Sequence, residues 1–237
     1  LNIIREWGGL EGVPIFLGSG TMGSAYQFND RVLKITSDSA EASAAAKLIG
    51  VSHPNVYTIY HVGLRQPRFK EMPNNRLVII YKLVSNPQDG EELPNKEAQE
   101  VIKSIHNASE KVKYSQPDNF MELLNVLKET AKNNPTVFEQ DTSGSSKLEK
   151  LLVLSGLNKN GAESVQLAIK ITLGYYGSAF SSSDKFIEAI NAKEKQYDYY
   201  NQICSGLTFL REHGIIFGDL KTTNVMRVDD DRLVIID

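Results

Sequence analysis

Cysteine is almost missing from this chain. Cys204 stands alone among 237 residues, which excludes an internal disulfide and suits a reducing compartment. No apolar run approaches the roughly 18 residues that a membrane-spanning helix needs. Residues 1–16 lack the basic start of a secretory signal peptide. Neither sign of charge is in excess: 26 Lys and Arg stand against 29 Asp and Glu, a net charge of −3. That balance gives no general electrostatic reason to hold nucleic acid or an anionic membrane. His53, His61, His106 and His213 show no zinc-ligand spacing. Ser19, Ser24 and the serines at 181–183 have no Gly-x-Ser-x-Gly setting, so a serine hydrolase has no support. The tyrosines at 197, 199 and 200 read as helix packing rather than a stacking platform for bases. What remains is a composition 41% apolar and 23% charged, able to bury a core. The expectation is a cytoplasmic protein without nucleic-acid or membrane partners.

The pattern along the chain changes near residue 84. Residues 12–35 read as strand–turn–strand, with "VPIFLGSGTMGSAYQF" leading through an Asn-Asp turn to "RVLKI". The alanine-rich 37–50 reads as a helix capped by Ser37 or Asp38 and ended by Gly50. Strands are expected at 56–64 and 76–84. Beyond a polar linker the period becomes helical, at 95–114, 119–133, about 146–155, 162–176 and 183–213, with Leu123, Leu124 and Leu127 on one face and Ile203, Leu207 and Leu210 on another. Residues 134–147 read as a mobile internal loop. "NVMRV" and "RLVIID" form a closing hairpin.

Three motifs carry chemistry. Gly18-x-Gly20-x-x-Gly23 offers N–H donors with no Cβ to keep phosphate oxygens away, although three glycines alone read equally as an unliganded turn. A dinucleotide fingerprint needs a helix after the glycines, and here a strand follows. Lys34 interrupts the apolar "RVLKI", so it either enters a cleft or snorkels out; Glu41, seven positions on, is an available ion-pair partner. Asp219-x-Lys221-x-x-Asn224, with Asp237 thirteen positions later, supplies what phosphoryl transfer requires: a carboxylate for a hydroxyl, a cation, and oxygen ligands for Mg²⁺. By itself this is also compatible with a polar turn before a hairpin.

In their shared order these segments resemble the protein-kinase-like superfamily, over about residues 12–84 and 203–237. "LGSGTMGSAY" is similar to its glycine-rich loop, "RVLK" to its lysine strand, "SHPNVYTIYHVG" to the segment after its helix, "LVIIYKLV" to the strand entering the hinge, "GDLKTTNVM" to its catalytic loop and "LVIID" to the strand ending on its metal-binding aspartate. The resemblance implies an α+β, two-lobed fold: a β-rich N-lobe at 1–84 and a mainly helical C-lobe at 85–237. The C-lobe would hold a helical insertion at about 95–185, open to a protein partner, and the catalytic-loop hairpin at 215–237. It implies ATP and Mg²⁺ as cofactors. Gly18, Ser19, Gly20, Thr21 and Gly23 would cover the phosphates, Lys34 would contact them and pair with Glu41, and Tyr81 and Leu83 would meet the adenine. Asp219 would orient the acceptor hydroxyl, Lys221 would neutralise the moving phosphoryl group, and Asn224 and Asp237 would hold the metal.

The departures shape the acceptor. Phe217-Gly218 replaces the usual His-Arg pair before the aspartate, which removes the cation that binds a phosphorylated activation loop and admits small-molecule phosphotransferases. Lys34 to Glu41 is a short interval for a protein kinase. The stop at Asp237 reads as truncation or as a reduced C-lobe. The leading expectation is an atypical protein Ser/Thr kinase, favoured by Lys221. The alternatives are a small-molecule kinase of the aminoglycoside-phosphotransferase type, or a pseudokinase acting as a binding module.

Overall fold

The computed structural model describes residues 10, 12–65, 76–82, 84, 95–106, 120–157, 177–228 and 231–236. By packing, the chain forms two compact units, one of residues 1–95 with 202–237 and one of residues 96–201. The architecture is α+β: an antiparallel sheet in the N-terminal part, then a mainly helical part.

The first unit holds β1 (Ile15–Ser19), β2 (Gly23–Phe28), β3 (Arg31–Thr36), β4 (Ile59–Arg65) and β5 (Arg76–Lys82), ordered β1-β2-β3-β5-β4 and antiparallel throughout. The β2–β3 turn forms where expected, with Asn29 at φ 50°, a left-handed position that asparagine tolerates. β3 is central, so Val32, Leu33, Ile35 and Thr36 are all buried. Leu10, Phe28, Leu33, Ile35, Val78 and Ile80 make one core cluster. α1 (Ser39–Lys47) starts at once after β3, because Asp38 caps it, accepting from Ala40 N at 2.8 Å and Glu41 N at 3.2 Å. Ala42 and Ala45 are its buried face.

The same unit contains the end of α5 (Ser183–Glu212) and the hairpin β6 (Val225–Arg227) and β7 (Leu233–Ile235). His53 lies against α5. Its ring stacks on Phe209 at 4.8 Å, its Nδ1 accepts from Asn55 N at 3.1 Å, and Nε2 lies 3.2 Å from Ser205 Oγ. Acceptance at Nδ1 puts the proton on Nε2, which donates to Ser205. Burial pushes the His53 pKa below its ordinary 6.5, against an opposing pull from Glu212. A depressed histidine means that the unfolded chain binds the proton more readily. The associated stability is therefore complete above about pH 6.5 and is lost as pH falls below it. Calorimetry from about pH 7.5 to 5.5 should show a falling melting temperature, with a shallower slope in His53→Gln. Identical slopes in the two proteins would refute the assignment.

The helical unit is built from α2 (Lys96–His106), α3 (Phe120–Asn133), α4 (Gly144–Leu154) and the first part of α5. Phe120, Leu124, Leu127, Leu148, Leu151, Phe186 and Ile190 form its core, with Tyr197 among them. Tyr199 is buried as well, so these tyrosines pack as expected. Within residues 134–147, expected as a mobile loop, the two ends are anchored to this core while 139–143 are exposed. Pro135–Val137 form a 3-10 turn, Val137 and Phe138 are buried, and Ser143 caps α4. Lys147 is buried too, its Nζ donating to Phe138 O at 2.8 Å and Phe180 O at 3.1 Å. The polar composition of the segment concealed this, because its anchors are only two apolar side chains and one lysine that satisfies orphan carbonyls. The helix expected at 162–176 lies outside the described residues. Among the described residues no helix is long and apolar enough to cross a membrane.

Candidate functional site

The site grows from the β1–β2 hairpin, whose tip is closed by Gly20 N donating to Gly23 O at 2.9 Å. The three glycines have different reasons to be glycine. A Cβ on Gly23 would lie 2.2 Å from Ile35 O, so packing on β3 forbids any side chain there. A Cβ on Gly18 or Gly20 would meet no protein atom within 4 Å. No packed neighbour therefore requires Gly20 to be bare, whereas Gly18 at φ 159° has a backbone that side chains rarely adopt; above both, the backbone is open to close approach from the cleft. The loop is tied to the end of β3 by Ser37, which donates through N (2.8 Å) and Oγ (3.1 Å) to Met22 O.

Lys34 lies in β3 opposite Ala25 and Ile79. Its Nζ is 2.6 Å from Glu41 Oε1, and the two side chains are only 15% and 17% exposed. The short Lys34–Glu41 interval is explained by the capping geometry. Asp38 starts α1 two residues after β3 ends, so Glu41 occupies the first helical turn, close to the strand it follows. In a usual capping box the acid at this position reaches back to the cap's own N–H. Here Thr36 Oγ1 accepts from Asp38 N at 3.0 Å and donates to Glu41 Oε2 at 2.9 Å. Glu41 is thereby left to hold the lysine.

Gly18, Ser19, Gly20, Thr21, Gly23, Lys34, Tyr81 and Lys221 line one cleft of about 1250 Å³. Its apolar walls include Leu17, Val32, Val84, Met226 and Ile236. Tyr81 is held edge-on by Tyr57, with ring centroids 5.1 Å apart.

On the loop before β6, Lys221 Nζ lies 2.6 Å from Asp219 Oδ2, with both side chains more than half exposed. The Lys221 hydrogen bond holds the Asp219 carboxyl below its ordinary value, opposed by desolvation and helped by the Lys221 charge and by Asn224. Asn224 is buried, and its Nδ2 donates to Asp219 O at 2.9 Å and Asp219 Oδ2 at 3.1 Å. Those two bonds fix the amide, so that its Oδ1 is the atom left to accept. Among the described residues its hydrogen-bonding neighbour is the Thr223 hydroxyl, at a long 3.5 Å. Ile236 N donates to Asn224 O at 2.9 Å, which ties the two ends of the hairpin together.

The structure thus gathers the glycine-loop residues, Lys34, Tyr81 and Lys221 at one cleft, with Glu41 behind Lys34 and with Asp219 and Asn224 on the Lys221 loop. Leu83 and Asp237 lie outside the described residues. The reading from sequence missed Thr36, whose hydroxyl organises Glu41, and the cleft walls Val32, Met226 and Ile236. The wall positions had a signal, since Met226 and Ile236 sit in the two apolar runs flanking the polar loop. Among the described residues no three His, Cys, Asp or Glu side chains converge to hold a metal.

No protein-family model matches this chain, and no curated protein matches it. Solved structures do match. One is the ternary complex of streptomycin, ATP and APH(2″)-IIa, at 13% identity and a TM-score of 0.31, covering 100% of this chain and 68% of that one. Another is a GDP complex of a mutant aminoglycoside 2′-phosphotransferase-IIIa, at 14% identity and a TM-score of 0.28, covering 90% and 95%. Likeness of this degree leaves the chemistry to be argued from the chain's own side chains.

Proposed function

We propose that the chain is a kinase-like phosphotransferase that moves the γ-phosphoryl group of Mg·ATP to a hydroxyl acceptor. One observation carries this reading: bare glycines, a half-buried ion-paired lysine and a lysine bonded to an aspartate all belong to a single cleft. The residues fit the cofactors. Gly18 and Gly20 have open space above them, apolar walls suit a base, and Asn224 has its carbonyl oxygen oriented by its own amide bonds. Asn224 and Asp237 would hold Mg²⁺, a small oxygen-ligand set that the hard cation completes with phosphate and water. Bound Mg·ATP supplies an activated phosphoryl group with its charge partly neutralised.

The protein's part is positioning and charge. Lys34, fixed by Glu41, contacts phosphate oxygens. Asp219 is ionised at neutral pH, so it can accept the hydrogen bond of the acceptor hydroxyl and take up its proton. Lys221 sits beside it, able to turn from Asp219 to the charge that builds on the moving group. Leu83 and Tyr81 would face the adenine. We place a small hydroxylated molecule ahead of a protein Ser/Thr side chain as acceptor. Gly218 and Asp219 are both exposed, and a Cβ on Gly218 would meet no described atom within 4 Å. Lys221 is the residue that keeps the protein acceptor in view.

The test is transfer of labelled γ-phosphate, with Mg²⁺, to a panel of small alcohols and amino sugars and to generic proteins. Lys34→Met should lower transfer about 10²–10³-fold, the usual loss for one preorganised electrostatic group, while the protein stays folded. Label on small molecules alone supports the acceptor proposed, and label on proteins alone reverses it. ATP that neither transfers nor protects the fold against heat would sink the enzymatic reading and leave a binding module.

A further inference from the structure

β7 is only three residues long, and its pairing with β6 spans Leu233 to Ile235. A two-stranded hairpin of this size does not hold its own geometry in water. Yet Asn224 immediately precedes β6, so this proposed metal ligand depends on where the hairpin stands. The edge of β7 facing away from β6 must also satisfy its backbone groups.

That edge is satisfied completely, by residues far away in sequence. Asn55 O accepts from Ile235 N at 2.9 Å, and Tyr57 N donates to Ile235 O at 3.1 Å. At Leu233, where residues 55–57 no longer run alongside, two side-chain amides take over. Asn55 Nδ2 donates to Leu233 O at 2.8 Å, and Gln202 Oε1 accepts from Leu233 N at 2.7 Å. The amides also bond to each other, Asn55 Nδ2 to Gln202 Oε1 at 3.0 Å. Asn55 is 6% exposed, so its polar atoms have no water to fall back on. Gly206 on α5 makes the room: a Cβ there would lie 3.0 Å from Asn55 O and 2.9 Å from Ile235 Cδ1.

We propose that Asn55 and Gln202 are positioning residues for the metal site, acting as a side-chain strand that fixes β7 and, through the Ile236 N to Asn224 O bond, the proposed ligand Asn224. This rests on the phosphotransferase reading above. The bonds run through backbone: Leu233 and Ile235 are pinned on one edge, and Ile236 N holds Asn224 O on the other. Loosening the pinned edge keeps Asn224 in the chain's fold but widens the range of positions it samples.

The experiment measures Mn²⁺ affinity by electron paramagnetic resonance in the presence of a non-hydrolysable ATP analogue, with melting temperature recorded alongside. Asn55→Asp keeps size but sets a carboxylate against Gln202 Oε1 and Leu233 O, with no donor for either. Gln202→Leu removes the acceptor for both N–H groups. Each should weaken Mn²⁺ about tenfold, the scale seen when groups supporting metal ligands are lost. Gln202→Glu keeps an oxygen acceptor for Leu233 N and Asn55 Nδ2 and gives up the long 3.5 Å bond from Nε2 to Asp231 O. It should bind Mn²⁺ within about twofold of wild type. A purely structural role would lower the melting temperature of Asn55→Asp and Gln202→Leu while the folded protein kept wild-type Mn²⁺ affinity, and that result overturns the proposal. So does a Gln202→Glu protein as weak as Gln202→Leu. Wild-type protein that binds no Mn²⁺ with the analogue would overturn the phosphotransferase reading and this proposal together, whereas wild-type binding with unaffected variants overturns this proposal alone.

Discussion

Asp219→Asn should lower phosphoryl transfer by about 10²–10⁴-fold, the usual contribution of a positioned general base, with ATP affinity within about twofold of wild type. The separation of rate from binding follows from the geometry. Asp219 is not among the residues that line the cleft, whereas Lys221, bonded to it at 2.6 Å, is. Asparagine preserves size and can still receive a hydrogen bond, but it cannot accept the proton. Single-turnover transfer and analogue binding, measured on the same preparation, check both halves. Equal losses in the two would mean that Asp219 holds nucleotide rather than acceptor. The pH profile is a second readout. A base must be ionised to act, so rate is lost as pH falls through its pKa. That pKa is held below the ordinary 3.8 chiefly by the Lys221 hydrogen bond. The acid limb therefore lies below the usual carboxylate range, and Lys221→Met, whatever it does to the maximum rate, should move that limb upward toward the ordinary value.

The second large effect concerns the glycines, which should separate cleanly. Gly23→Ala puts a methyl where Ile35 O already stands, at 2.2 Å. Backbone cannot yield as a side-chain tip can, so β2 must part from β3 at that end. Overpacking of this kind costs about 1–3 kcal/mol, and a backbone clash belongs at the upper end. Gly23→Ala should therefore lower both the melting temperature and ATP affinity. Gly20→Ala meets no atom within 4 Å, so its stability should stay within about 0.5 kcal/mol of wild type. Its ATP affinity should fall about tenfold if the bare backbone is there to receive phosphate. Chemical denaturation and analogue titration of both variants decide the matter. A Gly20→Ala protein that binds ATP normally would take the phosphate role away from that glycine.

How much of this was legible depends on how local each feature is. The glycine loop, β3 and α1 are contiguous in sequence, and their apolar spacing and the Asp38 cap announce them. Lys34 and Glu41 could be matched because only seven positions separate them. Even so, sequence could not say why so short an interval works, since the answer is a hydroxyl, Thr36, standing in for the usual partner of the capping residue. The segment 134–147 misled for the opposite reason. Its buried lysine and two apolar anchors are outnumbered by Gln, Asp, Thr, Ser and Gly, and only the carbonyls of Phe138 and Phe180, the second 33 positions away, explain Lys147. The Asn55–Gln202–Leu233 arrangement was invisible. Its partners are 147 and 178 positions from Asn55, and a lone glutamine on a helix carries no periodic signal. The proposed catalytic loop could be picked out because one short stretch carries Asp219, Lys221 and Asn224. The support beneath it could not.

The position of Glu41 has one more consequence. Every atom of the Lys34–Glu41 pair and of its Thr36 and Asp38 supports comes from eight consecutive residues, 34 to 41. The pair therefore travels with its own strand. A tilt of α1 about its first turn would swing Lys47 widely and barely displace Glu41. On the phosphotransferase reading, a latch built this locally would stay closed through such a swing of the helix.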